Sequence, residues 1–346
     1  MSGSTGHRLF IERLVIALII VAIALLLWQL RGLFMLVFAA VLVAVILNLL
    51  ARPIRTRLHA PAALALLAAV LIVTGAIVAA AWLLGAEIVR QSETIRTLVP
   101  AAWQAIEARL DGWGLGDAVR QWTAGLGRDG VVANIGNIAM SVGNGLADLL
   151  LVIVGGIYFA ARPELYRAGL IKLVPKEGRA LAADALDASG KALRLWLLGR
   201  LVSMTAVGAM TWLGLTLIGV PSALTLALLA ALLEFVPFIG PVLSAVPAIL
   251  LGFAVGPDKA LWTALLFLII QQIEGNILEP QVQQRAVDIP PALLLFALVA
   301  GGVVFGVIGV VLAGPLTVVL YVLVKRLYVR EALHTPTPLP GEKAKD

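Results

Sequence analysis

The polar side chains that could carry chemistry lie within, or at the ends of, long apolar runs. Glu234 stands directly before a turn at 237–241, inside the apolar run 222–255. A second polar group closes the run 260–273 and consists of Gln271, Gln272, Glu274, Asn276, Glu279 and Pro280. A carboxylate at bilayer depth is costly unless it is solvated, paired or protonated. These positions are therefore candidates for carrying a proton, coordinating Na⁺ or lining a transport path.

Each candidate also has a purely structural explanation. Glu234 could cap or pack the turn that follows it, and Glu274 and Glu279 could lie at a solvated helix end. The turn itself contains Pro237, Gly240 and Pro241. Proline removes a backbone donor and glycine permits positive φ, so the turn predicts unpaired carbonyls that a pore or a substrate could use.

The apolar runs that hold these residues are too long to be straight membrane helices. A run of 33 helical residues reaches about 50 Å, whereas the hydrocarbon core of a bilayer is roughly 30 Å thick. Both 222–255 and 292–324 have about this length and contain internal Pro and Gly. Irregular backbone at membrane depth is tolerated where it is buried in protein or lines a watery cavity. Broken helices of this kind recur in transporters.

The second run is rich in small residues, namely Gly301, Gly302, Gly306 and Gly309, with Pro315 beyond them. Glycines at this spacing are typical of close helix packing or a subunit contact. The segment 308–312 also resembles 239–243, and a proline follows each at 315 and 247. This similarity indicates either an inverted repeat around a midplane site or a chance likeness of two apolar stretches.

The composition places the chain in a membrane and excludes several function classes. Of 346 residues, 61% are hydrophobic and 13% charged, against about 45–50% and 25% in soluble domains. We expect an all-α polytopic membrane protein. There is no Cys, the three His are isolated, and no phosphate-binding loop, nucleophile elbow or zinc motif is present. The sequence predicts no enzyme, no cofactor and no metal site. It also predicts no nucleic-acid partner, because no basic stripe is interleaved with aromatic residues.

The apolar runs predict about eight transmembrane helices. Candidate spans are 14–30, 33–50, 62–84, 146–161, 201–219, 260–273, 292–304 and 307–324, with 222–255 as a re-entrant hairpin. The predicted segments are a three-span N-terminal part (1–84), an extracytoplasmic amphipathic insert (85–145), a fourth span (146–161), a cytoplasmic basic helical segment (162–200), a transport core with broken helices (201–324) and a cytoplasmic tail (325–346).

The orientation follows from the loop charges. Segment 162–200 carries eight Lys or Arg and four acids, a net charge of +4, whereas 85–144 carries five Arg and six acids. Positively charged loops stay on the cytoplasmic side. We expect both termini and 162–200 in the cytoplasm, with 85–144 outside.

Three motifs resemble those of the autoinducer-2 exporter family, a broad group of bacterial permeases. Residues 234–241, EFVPFIGP, resemble its FIPYIGP hallmark, and 276–280, NILEP, resemble its N-x-LEP motif. Residues 301–316 resemble its GGxLFGxxGxxLAxPL ending. The chain departs from the family where VDIP at 287–290 replaces GLHP, which removes a histidine, and where Gly314 precedes Pro315 instead of valine.

The resemblance implies a multi-span protein of the bacterial inner membrane that assembles as a homo-oligomer, with a pentamer as one option. Family members are linked to export of autoinducer-2 or to Na⁺(Li⁺)/H⁺ exchange. The leading hypothesis is a secondary exporter of a small polar organic solute such as autoinducer-2. The alternatives are a cation/proton antiporter that uses the carboxylates and a non-transporting membrane scaffold.

Overall fold

The computed structural model describes residues 3–83, 85–86, 147–280 and 289–337. Within these ranges the chain is helical, with no strand, which confirms the all-α prediction. The predicted insert 85–145 lies almost wholly outside the described residues, as does the end of the tail.

Ten helices make up the described part of the chain. They are α1 (Gly3–Gln29), α2 (Arg31–Arg57), α3 (Ala62–Leu83), α4 (Ala147–Ala161), α5 (Pro163–Lys172), α6 (Arg179–Ile218), α7 (Ala223–Leu233), α8 (Ile239–Val255), α9 (Pro257–Ile273) and α10 (Pro291–Leu323). A 3₁₀ turn, Lys176–Gly178, precedes α6. Two π-helical segments, Glu274–Leu278 and Val324–Ala332, extend α9 and α10.

Five described segments are long and apolar enough to cross a membrane, and a sixth is counted if the bent pair α4–α5 forms one span. They are Arg31–Arg57, Ala62–Leu83, Lys176–Ile218, Pro257–Leu278 and Pro291–Ala332. The predicted number of eight spans is not confirmed. Helices α7 and α8 are each too short to count, the apolar part of α1 is short, and the two predicted spans in 292–324 belong to one segment.

The N-terminal helices pack closely because small residues line their contacts. Ala44, Ala51, Ala65 and Ala160 form a buried cluster between α2, α3 and α4. A Cβ added at Gly156 would lie 2.6 Å from the nearest Val43 side-chain carbon. Helices without bulky side chains between them can approach closely, which favours association in lipid.

Helix α6 is the longest in the described part and crosses a boundary that the sequence predicted. Its 40 residues extend for about 60 Å, twice the thickness of the hydrocarbon core. The cytoplasmic segment was expected to end at Arg200 and a span to begin at 201. In the structure Arg200 lies inside one continuous helix, so a helix leads from the segment predicted to be cytoplasmic straight into the predicted span.

Helices α7 and α8 form a helical hairpin that we call hairpin 1. Helix α7 ends at Leu233 and α8 begins at Ile239, so the predicted break in 222–255 is present. The turn contains Phe238 with φ of 63°. A Cβ at Gly240 would overlap the Leu233 carbonyl oxygen, so only glycine lets α8 begin this close to the end of α7.

The segment 291–323 also folds back on itself, and we call it hairpin 2. Gly306 has φ of 66° and ψ of −147°, which is not a helical conformation. In a straight helix Gly301 and Gly309 would be about 12 Å apart. A Cβ added at Gly301 would instead lie 2.7 Å from the Gly309 carbonyl oxygen. The chain therefore reverses at Gly306, and the two predicted spans are the arms of this hairpin.

The two hairpins share their construction, as the similarity of 239–243 and 308–312 suggested. Each turn contains a residue with positive φ, Phe238 in one and Gly306 in the other. A glycine then follows, Gly240 or Gly309, at which a Cβ would overlap a carbonyl oxygen of the opposite arm. The similarity in sequence therefore corresponds to similar local geometry.

Hairpin 1, α6 and α9 meet at one level of the bundle. The Lys259 ammonium donates a 2.6 Å hydrogen bond to the Ile218 carbonyl, so the end of α6 and the start of α9 are adjacent. Arg200 lies 18 residues before Ile218, which is about 27 Å along α6. Glu274 lies 17 residues after Pro257, the first residue of α9, which is about 25 Å along that helix. The two side chains therefore reach the same depth, where the turn of hairpin 1 also lies.

Candidate functional site

A buried ion cluster joins three of these elements. The Arg200 guanidinium donates a 2.8 Å hydrogen bond from Nη2 to Glu234 Oε1 and a 3.4 Å bond from Nη1 to Glu274 Oε1. Its Nε donates to the Phe235 carbonyl oxygen at 3.3 Å. Arg200 thus ties α6 to the turn of hairpin 1 and to the end of α9. We call Arg200, Glu234 and Glu274 the ion triad.

The charges of the ion triad do not balance. Side-chain exposure is 12% for Arg200, 1% for Glu234 and 10% for Glu274, so water screens them little. With both carboxylates ionised, one guanidinium faces two negative charges and the net charge is −1. An uncompensated buried charge is costly, and a bound proton or a monovalent cation removes it.

The backbone around the ion triad is irregular on two sides. Glu234 follows the last residue of α7 at the turn of hairpin 1, and Glu274 begins the π-helical turn Glu274–Leu278. Single π-helical turns within α-helices are frequent at functional sites. The sequence had predicted that the span ends at 273, within this polar group, but the helix continues through the group. With the π-helical turn included, the segment Pro257–Leu278 has 22 residues, which is enough to span a bilayer.

An aromatic pair covers one side of the site. The rings of Trp196 and Phe235 meet edge to face with centroids 5.8 Å apart. Trp196 lies one helical turn before Arg200 and also reaches hairpin 2. A Cβ added at Gly314 would be 2.9 Å from the indole ring. Hairpin 2 is thereby packed against the same region as hairpin 1.

The predicted turn residues surround the triad without bonding it through their side chains. Pro237 precedes the positive φ of Phe238, Gly240 is buried at the start of α8, and Pro241 is partly buried in its first turn. The Val236 carbonyl accepts a hydrogen bond from Gly240, and the Pro237 carbonyl accepts one from Ile239. The predicted pool of unpaired turn carbonyls is therefore smaller than expected.

The second polar group divides between two faces of α9. Gln271 donates to Glu274 Oε2 at 3.4 Å, which adds it to the site. Gln272 and Asn276 are exposed and hydrogen bond to each other at 2.9 Å. Both line an open, largely apolar cavity of about 390 Å³ on the outer surface of the bundle. Glu279 and Pro280 lie beyond the π-helical turn and are exposed.

The glycines of the small-residue group lie within hairpin 2. Gly301 and Gly309 contact each other across it, and Gly302 faces a Val310 methyl group. Gly306 forms the turn, and Pro315 is buried within the second arm. The contacts of Gly301, Gly302 and Gly309 join the two arms of hairpin 2.

Sequence reasoning missed Arg200 as a member of the site. It was counted among the cytoplasmic cations, although Leu, Trp and Gly surround it on α6. A cation that stands between the mainly apolar stretches 195–199 and 201–204 was the signal that could have identified it. Across the described ranges, no group of three or more His, Cys, Asp or Glu could hold a metal ion.

The fold and the site together define a class of protein. Helices interrupted by hairpins, with a charged cluster buried beside one of them, recur in membrane transporters. Residues 16–328 match the family described as AI-2E family transporter. This chain belongs to that family, and the resemblance drawn from the three sequence motifs is confirmed.

Individual relatives agree with this assignment. The AI-2 transport protein TqsA of Escherichia coli (strain K12) is 27% identical over 289 residues, which cover 81% of this chain and 82% of TqsA. The Putative transport protein YueF of Bacillus subtilis (strain 168) is 30% identical over 159 residues, 46% of this chain and 42% of YueF. The Putative transport protein YhhT of Escherichia coli (strain K12) is 31% identical over 192 residues. The chain spans about half the length of YueF and YhhT.

Proposed function

We propose that this protein is a secondary transporter that exports a small polar organic solute and couples that export to proton movement through the ion triad. The observation that carries the proposal is the charge imbalance of the triad. Two buried carboxylates share one guanidinium, so one negative charge requires a proton or a cation. Binding and release of a single proton is the simplest change of state that such a site supports.

The position of the triad supports coupling to a conformational change. Glu234 belongs to the turn of hairpin 1, Glu274 belongs to the π-helical turn of α9, and Arg200 belongs to the long helix α6. A proton on either carboxyl group weakens one ionic bond between these elements. Substrate sites in secondary transporters lie where such discontinuous helices meet.

Autoinducer-2 is the solute that we propose first. The support is the likeness to TqsA, which is named for AI-2 transport and aligns with most of this chain at 27% identity. We therefore propose autoinducer-2 as one member of the wider class of small polar organic solutes.

A Na⁺(Li⁺)/H⁺ antiporter is the second candidate, and the same charge imbalance favours it. A monovalent cation could take the place of the proton between Glu234 and Glu274. Oxygen ligands suit such a cation, and the Gln271 side chain next to Glu274 could add another. In this alternative the exchanged ion is itself the cargo.

Everted membrane vesicles that contain the protein distinguish these functions. Uptake of labelled solute that depends on a proton gradient and not on Li⁺ supports the exporter. Collapse of the pH gradient on addition of Na⁺ or Li⁺ supports the antiporter. Absence of both fluxes would favour the scaffold and would contradict both transport proposals.

The role of Glu234 is tested in the same vesicles with Glu234→Gln. This change keeps the shape and a hydrogen-bonding oxygen but removes the proton exchange. We expect transport to lose its pH dependence while the protein still assembles. Glu274→Gln is the comparison within the triad, and Asp187→Asn is the matched control because Asp187 pairs with Arg167 at the surface. A Glu234→Gln protein with the unchanged pH profile would show that the carboxylate is only structural.

The family membership and the loop charges support a proposal for the location and the assembly of the protein. We propose the bacterial inner membrane, with both termini cytoplasmic and the insert 85–145 outside. A single Cys placed at Ser92 in this Cys-free chain should then react with an impermeant reagent in intact cells. We also propose a homo-oligomer, whose subunit number is measured by native mass spectrometry.

A further inference from the structure

A cavity of about 480 Å³ lies between α2 and α6, and no member of the ion triad lines it. We call it the basic cavity. Its lining residues are Val45, Asn48, Leu49, Ala51, Arg52, Arg55, Thr56, Gly190 and Arg194. Three arginines, an amide and a hydroxyl give it a polar wall, and no acidic residue belongs to the lining.

The helical spacing of the sequence builds this wall. Arg52 lies four residues after Asn48 on α2, and Arg55 and Thr56 lie three and four residues after Arg52, so all four share one side of the helix. Arg194 faces them from α6, and Gly190 stands one turn before it. Because Gly190 has no side chain and no atom lies within 4 Å of where its Cβ would be, the cavity stays open between the two helices.

The three arginines have no ion-pair partner among the residues that the structure describes. The described ion pairs use Arg167, Arg200 and Arg326 instead. Arg52 and Arg55 are exposed and Arg194 is half-buried, so the cavity is accessible to a ligand. Like charges around a cavity repel one another, and an anion bound between them relieves that repulsion.

The donors match a phosphate group. A guanidinium presents N–H groups in a fixed fork that binds phosphate oxygens in pairs. Asn48 can add an amide N–H. Its present hydrogen bond to the Ala160 carbonyl is long, at 3.5 Å. Basic pockets between membrane helices bind phosphate head groups of anionic lipids.

We infer that the basic cavity binds a phosphate group through Arg52, Arg55 and Arg194. The group can belong to the head group of an anionic phospholipid or to a free phosphate anion, since both present the same oxygens. This site is independent of the ion triad, and its failure would leave the proposed transport function untouched.

The test uses the full-length protein in phosphatidylcholine nanodiscs. In one arm, inorganic phosphate is titrated against chloride at equal ionic strength and the shift of the melting temperature is recorded. In the other arm, the nanodiscs contain phosphatidylglycerol, and the lipid retained per chain is counted by native mass spectrometry. Arg194→Gln and Arg52→Gln are compared with Arg57→Gln, which removes an arginine from the same helix but outside the cavity lining.

We expect each cavity variant to weaken phosphate or phosphatidylglycerol binding roughly tenfold or more, as the loss of a charged hydrogen bond implies. Arg57→Gln should bind like the unmodified protein. Binding of phosphatidylglycerol alone identifies a lipid site, and binding of both probes or of phosphate alone identifies a free-anion site. Each of these results supports the inference. Absence of both, or equal weakening by Arg57→Gln, would overturn it. Arg52 is exposed, so its variant keeps the test valid if Arg194→Gln fails to fold.

Discussion

Replacing Arg200 with Met is the most direct test of the ion triad. The Arg200→Met change keeps an unbranched side chain of similar length and removes the charge and all five N–H donors. Glu234 then loses its 2.8 Å bond, and Glu274 and the Phe235 carbonyl lose weaker bonds of 3.4 and 3.3 Å. Two carboxylates remain buried with no cation beside them.

The expected loss of stability is large because of this burial. Removing one partner of a buried ion pair typically costs about 3–5 kcal/mol, and the exposures of 1% and 10% put Glu234 and Glu274 in that class. At roughly 2 °C per kcal/mol, the lower end expected for a long chain, the melting temperature should fall by about 6–10 °C. The loss of stability should be smaller at lower pH, because protonation of Glu234 and Glu274 removes their unpaired negative charges.

The assay is thermal unfolding of the purified protein in detergent at a fixed scan rate, since membrane proteins often unfold irreversibly. Arg167→Met is the matched control, because Arg167 makes a bidentate pair with Asp187 at 2.6 and 2.7 Å at the surface. An exposed pair contributes little, so that variant should melt close to the unmodified protein. If Arg200→Met melts no lower than Arg167→Met, or loses the same stability at every pH, the reasoning about the buried charges is wrong.

Two glycine substitutions test the hairpins in the same assay. Gly240→Ala should cost about 3 kcal/mol or more, the upper part of the range for overpacking, because the overlapping atom belongs to the backbone. Gly306→Ala should cost about 1–3 kcal/mol, because φ of 66° with ψ of −147° is strained for any residue with a Cβ. Gly75→Ala is the control, since a Cβ there meets no atom within 4 Å. Equal melting temperatures for the three variants would refute the hairpin geometry.

The helical class and the positions of the breaks could be predicted from the sequence because both depend on local chemistry. An apolar run longer than a bilayer that contains Pro and Gly must bend, so the interruptions near Pro237 and Gly306 were foreseeable. Whether such a run becomes two spans or one hairpin depends on contacts between its arms. The approach of Gly301 to Gly309 is a contact across the turn, and no local pattern specifies it.

Two members of the ion triad could be predicted from the sequence, and the third could not because it depends on contacts between distant parts of the chain. Glu234 and Glu274 were candidates because carboxylates in apolar runs are costly. Their partner is 34 and 74 residues away along the chain. Arg200 also had a competing explanation, since it follows a basic segment that the orientation rule accounts for. A rule that uses net charge per loop cannot tell which cation of a segment enters the bundle.

In the function that we propose, the position of Arg200 lets one side chain connect the binding of a proton with the conformation of the protein. Helix α6 runs for 40 residues without a break and holds the guanidinium at a fixed depth. Both carboxylates lie where helical backbone is interrupted, at the turn of hairpin 1 and at the π-helical turn of α9. With both ionised, the guanidinium holds the two irregular segments together but leaves one negative charge uncompensated. A proton removes that charge and weakens one ionic bond. The most stable contact pattern of the three elements therefore differs with a single proton, which is the requirement for a coupled transport cycle.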